Sequence, residues 1–113
     1  MNKNQLDISL LKDFFGDDTS PIKAYLNVVI EDWTSINAEL KDAIKKQNLE
    51  LYKDVAHKMA LPISLLSLND LQQKLKEGRA FVSNANDHRA YFDSLIADIE
   101  NIIALMKLEM ENH

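Results

Sequence analysis

Apolar residues recur along most of this chain in steps of three and four, the spacing of a helix that turns by about 100° per residue. From Ile22 to about Gln47 they are Ile22, Leu26, Val29, Trp33, Ile36, Leu40 and Ala43, which predicts one long amphipathic helix carrying a bundle seam. Such a stripe is core far more often than a cofactor-lining face. The next pattern, Leu49 to Leu66, sets Tyr52, Val55, Ala56, Met59, Ile63 and Leu66 on one side. Glu50, Lys53, Asp54, His57, Leu61 and Ser64 fall on the other. Leu68, Leu71, Leu75 and Phe81 then mark the inner stripe of a fourth helix, with Gly78 as its weak point. Phe92, Leu95, Ile96, Ile99, Ile102, Ile103, Met106 and Met110 mark a last helix that runs to near the C-terminus.

The residues between these stripes read as starts and stops. Leu6 to Phe15 predicts a short helix, apolar at Leu6, Leu10, Leu11, Phe14 and Phe15 and stopped by Gly16, which would close one end of the core. Ser20 can cap the long helix and Pro21 suits its first turn. The brief Lys45-Lys46-Gln47-Asn48 turn implies that the following helix packs antiparallel. Pro62 lacks an N–H and crowds the carbonyl of Lys58, so a kink is expected just after His57. Ser67 with Asp70 fits a capping box, and Ser83-Asn84-Ala85-Asn86-Asp87 reads as a polar loop offering several caps. The fold class expected is all-α, an antiparallel up-down-up-down four-helix bundle with a short extra N-terminal helix, as a single domain over residues 1–113. Trp33, Leu40, Val55, Met59, Leu75 and Ile99 should lie in its core.

Composition narrows the function more than the fold. With two glycines, two prolines and 46% hydrophobic residues in 113, the chain can bury a core as one domain. It has no cysteine, so disulfides and thiolate metal sites are out. Its formal charge is −5, with 18 acidic against 13 basic residues and no basic run longer than Lys45-Lys46. Nucleic acid and acidic membrane surfaces need a basic face, so both are disfavoured as partners. No apolar run approaches the roughly 20 residues that cross a bilayer, and the polar start MNKNQLD lacks a signal-peptide segment. A cytoplasmic monomer is expected.

The candidate chemistry is His57. A lone helical histidine is usually a solvated residue or a satisfied core residue, and its place opposite the apolar stripe excludes the core. Asp54 precedes it by one turn, the spacing of a metal-binding pair, but the pair points outward. There is no second copy, since His88 sits near a helix start and His113 is terminal. Neither a metal nor any other cofactor is therefore expected.

Val55-Ala56-His57-Lys58-Met59, followed by Leu66-Ser67-Leu68-Asn69-Asp70-Leu71, resembles the active-site helix and following turn of histidine-containing phosphotransfer (HPt) domains. The likeness extends over nearly the whole chain, from a short helix ending in Gly16-Asp17-Asp18 to two closing helices. Ala56-His57, Met59, Leu66 and Leu71 match the family pattern, while Ala60, Leu61 and Ser67 stand where the family usually has lysine, glycine and glycine. The resemblance implies that His57 is a phosphoacceptor in a phosphorelay, exchanging a phosphoryl group with the aspartate of a response-regulator receiver domain, that of a hybrid histidine kinase included. By the same resemblance the carrier would have no kinase activity of its own, and the receiver would be expected to bring the metal ion and a lysine. Lys53, one turn before His57, and Lys58 are the candidates for stabilising the phosphoryl group, though each reads equally well as a solvated lysine. Ala60, Leu61, Ser64 and Asp54 are the receiver-docking candidates. Leu61 has an alternative, because the Pro62 kink could turn it inward. The competing function is a degenerate HPt-like module that binds receiver or kinase domains without carrying phosphate.

Overall fold

The structure, a computed structural model, describes residues 6–112. The start of the polar MNKNQLD stretch and His113 lie outside these residues. Among these residues six α-helices follow one another: α1 (Ser9–Phe15), α2 (Thr19–Lys45), α3 (Leu49–Lys58), α4 (Ala60–Leu65), α5 (Asn69–Gly78) and α6 (Arg89–Glu111). A 3-10 segment, Val82–His88, joins α5 to α6, and no strand occurs among the described residues.

The two long helices form the spine. Lys23 and Asn27 near the start of α2 share a groove with Lys107 and Met110 near the end of α6, so α2 and α6 run antiparallel. Against this pair α3 packs on α2, and α5 packs on α6. All seven apolar positions read along α2 are buried, as are Trp33, Leu40, Val55, Met59, Leu75 and Ile99. A period-3.6 stripe suffices to bury these residues because the neighbours of each helix gather on its apolar face. Asn37 is the one buried polar residue among those described, and its Nδ2 donates to Glu100 Oε2 of α6 at 3.3 Å.

Local chemistry explains where the elements end, and in several places it differs from the sequence reading. The N-cap of α2 is Asp18, whose carboxylate accepts the Ser20 N–H at 3.0 Å; Ser20 is already inside the helix. An ionised carboxylate complements the positive end of the helix better than a hydroxyl does. α1 is shorter than expected, because Asp7 accepts both the N–H and the hydroxyl of Ser9 and starts the helix there. Those bonds hold the Asp7 carboxyl below its usual range. Only Leu11 of α1 is buried and Phe14 remains 71% exposed, while just ahead of the helix Leu6 and Ile8 pack half-buried on the core and the Asp7 N–H donates to Leu66 O at 3.2 Å.

The third predicted helix is two. It breaks at Met59, whose N–H reaches Ala56 O at 3.2 Å, and resumes as α4 with Pro62 in its first turn. The break falls just after His57, where the missing Pro62 donor leaves Lys58 O without its helical partner. Ser67 does not cap α5; it adopts φ 56°, the left-handed conformation that ends α4, and Leu68 precedes α5 without a side-chain cap. Nor is Gly78 a weak point. It is buried at the end of α5, where a Cβ would collide with the Tyr52 hydroxyl. Phe81 lies beyond α5, half-buried and stacked on His88 with ring centroids 4.4 Å apart. The expected polar loop is the 3-10 segment, in which Val82 and Ala85 are buried and no side chain caps α6.

Candidate functional site

The site begins with the cap of α3. Asn48 Oδ1 accepts the Leu51 N–H at 3.1 Å and sets the helix phase that drives Tyr52 and Val55 into the core. At about 100° per residue His57 must then emerge on the far side, and its side chain is exposed. Glu50, Lys53, Asp54, Leu61 and Ser64 share this exposure. Leu61 is 64% exposed, so the break at Met59 leaves it outward and the inward alternative does not hold.

His57 lies on one wall of an open groove of about 200 Å³. Ala60 continues that wall, and the opposite wall is formed by Gln72, Leu75 and Lys76 of α5 and by Arg79, its C-cap. No carboxylate lines the groove, which is therefore cationic on a chain whose net charge is −5. A phosphate oxygen placed between His57 and α5 would meet two positive side chains and an amide.

The two lysines named from the sequence are placed differently. Lys58 turns to α2, with Nζ 3.0 Å from Glu39 Oε1, and Lys53 Nζ stands 3.9 Å from Glu50 Oε1. Neither lines the His57 groove. Lys76 and Arg79 were missed because α5 carries no recognisable motif. Their signal is the polar stripe Gln72, Lys76, Arg79 at helical spacing, on a helix that must face α3 if the chain doubles back. Asp54, Ala60 and Ser64 are exposed on α3 and α4 beside His57 and Leu61.

The chain matches no family model, no curated protein and no solved structure. Among the described residues no three histidine or carboxylate side chains gather as metal ligands, and Asp54 with His57 has no third donor. No described helix is long and apolar enough to cross a membrane.

Behind the groove the chemistry is aromatic. Tyr52 is fully buried, and its ring meets Phe92 edge-on at 6.3 Å. Burial pushes its phenol far up from the usual value, with the neighbouring Tyr91 adding to the effect and Arg79 opposing it. It therefore stays a neutral hydrogen-bond donor at ordinary pH.

Proposed function

We propose that this chain is a phosphorelay carrier of the HPt kind, in which His57 accepts a phosphoryl group from a receiver-domain aspartate or returns it to one. The observation that carries the reading is the exposed His57 imidazole on the wall of a groove whose other wall holds Lys76 and Arg79 and no carboxylate. In the forward step the imidazole Nε2 lone pair attacks phosphorus. An N–P bond forms, the aspartyl P–O bond breaks, and its electrons return to the carboxylate. The proton on Nδ1 stays in place, so no separate base is required. Lys76 and Arg79 would offset the charge on the transferred oxygens, the part that Lys53 and Lys58 were expected to play.

The carrier would have no kinase activity of its own, and its partner would be a receiver domain, that of a hybrid histidine kinase included. The corresponding architecture is an up-down-up-down four-helix bundle of α2, the interrupted leg α3–α4, α5 and α6, with α1 as the short extra helix. A cytoplasmic setting and a monomer fit this role.

The test is phosphotransfer from a phosphorylated receiver to the wild type and to His57→Gln. Wild type should gain acid-labile, base-stable phosphate, and the variant should gain none while keeping its helicity. The second reading, a module that binds receivers without carrying phosphate, draws on Leu61. It stands 64% exposed one turn from His57 and suits docking whether or not phosphate moves. Wild type that binds a receiver but takes up no phosphate would select that reading.

A further inference from the structure

One hydrogen bond joins the two walls of the His57 groove from behind. The Tyr52 hydroxyl, on α3, donates to Leu75 O on α5 at 2.6 Å. That carbonyl has room for a side-chain donor because α5 is ending. In a regular turn it would accept the Arg79 N–H, but Arg79 N reaches Lys76 O instead, at 3.3 Å in the tighter 3-10 pattern. Gly78 lies against the phenol, where a Cβ would collide with Tyr52 Oη and stand 3.2 Å from Cζ. The seating of the Tyr52 side chain against the end of α5 thus uses both a hydroxyl and the lack of a methyl. The next carbonyl back, Lys74 O, accepts from the Tyr91 hydroxyl of α6, so tyrosines hold two successive carbonyls at this helix end.

The residues following the clamped carbonyl are the groove cations. Lys76 is adjacent to Leu75 and Arg79 is one turn on, and both line the groove with His57. Both side chains spring from this helix end, so a shift of it moves the anchor points of both charges together.

We propose that the Tyr52 hydroxyl, bonded to Leu75 O and seated on Gly78, is the positioning group that sets Lys76 and Arg79 beside His57 and so determines how the groove holds an anion. The placement stands on the geometry alone; that the anion is a transferring phosphoryl group rests on the carrier reading above. A buried carbonyl that loses its donor is worth roughly a tenfold change in an equilibrium, which sets the expected scale.

The test uses Tyr52→Phe, Gly78→Ala and the two combined. Inorganic phosphate is titrated into ¹⁵N-labelled protein while the amides of residues 76–79 are followed, and phosphoramidate serves as a small donor to His57. Tyr52→Phe should keep wild-type helicity yet bind phosphate roughly five- to tenfold more weakly and phosphorylate more slowly by a similar factor. Gly78→Ala should do the same from the other side of the contact. The double variant should lose less than the two single losses multiplied, because the hydroxyl that collides with the new methyl is gone. Tyr52→Phe that melts lower but binds phosphate and phosphorylates like wild type would make the tyrosine a packing residue and overturn the inference. So would fully multiplicative losses, or wild-type amides at 76–79 that ignore phosphate. If wild type binds phosphate in the groove but takes none from the donor, the carrier reading falls. A weakened phosphate titration in Tyr52→Phe would then still support the positioning role.

Discussion

At the scale of single residues, two positions carry consequences beyond their own side chains. Ser67 holds φ 56° at the end of α4, a conformation that costs a residue with a Cβ about 1 kcal/mol or more and costs glycine almost nothing. Glycine also loses more entropy on folding, so Ser67→Gly should stabilise by a net of about 0.5–1 kcal/mol, read as a higher urea midpoint at unchanged slope. A loss of stability would mean that the serine side chain makes up for its backbone strain. Leu61 is exposed in the first turn of α4 and packs under nothing in the chain. Leu61→Glu should leave the melting temperature within a few degrees while abolishing receiver binding measured by titration calorimetry. A cooperative collapse of the fold would assign the leucine to the core, and unchanged binding would remove it from the docking surface.

At the scale of elements, caps and breaks decide more than propensity does. The carboxylate of Asp18, rather than the hydroxyl of Ser20, satisfies a free N–H at the start of α2. Asp18→Ala should therefore cost about 1 kcal/mol, and Ser20→Ala only a few tenths, in thermal unfolding. The reverse order would restore the serine as the cap. The break between α3 and α4 follows from Pro62, and it sets the local geometry around His57. His57 lies in the last turn of α3, Leu61 in the first turn of α4, and both stay on the outer surface.

At the scale of the whole molecule, a spine of two antiparallel helices is joined by polar contacts that converge on Glu100, beside a largely apolar seam. Asn37 reaches Glu100, which also pairs with Lys41 at 3.3 Å, but Asn37 Oδ1 is buried without a partner. Leaving a polar atom unpaired in the core costs about 1–3 kcal/mol, whereas the half-exposed Glu100 can turn to water. Asn37→Leu should thus raise stability by about 1 kcal/mol in chemical denaturation, provided its volume fits between α2 and α6. A destabilised variant would show that the amide sets the register of the two helices and is worth more than its unpaired oxygen costs.

The periodicity of apolar residues was enough, by itself, to place the long helices, most of the face that each buries, and the exposure of His57. Burial is a one-dimensional consequence of phase: once Tyr52, Val55 and Met59 face the core, His57 can only face out. Pro62 likewise announced its break, since a missing donor acts on the residue four before it wherever the helix lies. Competition among neighbouring donors and acceptors was less legible, which is why Asp18 rather than Ser20 caps α2 and why Ser67 terminates a helix instead of starting one. Only the tertiary structure decided the company that His57 keeps. Lys53 and Lys58 are its neighbours along the chain, but Glu50 and Glu39 engage them, and the cations of its groove come from α5. Gly78 shows the same limit, because its lack of a side chain acquires meaning only when Tyr52 arrives from another helix. Spacing along a helix fixes direction from its axis, while the identity of what stands opposite depends on how the helices are laid against one another.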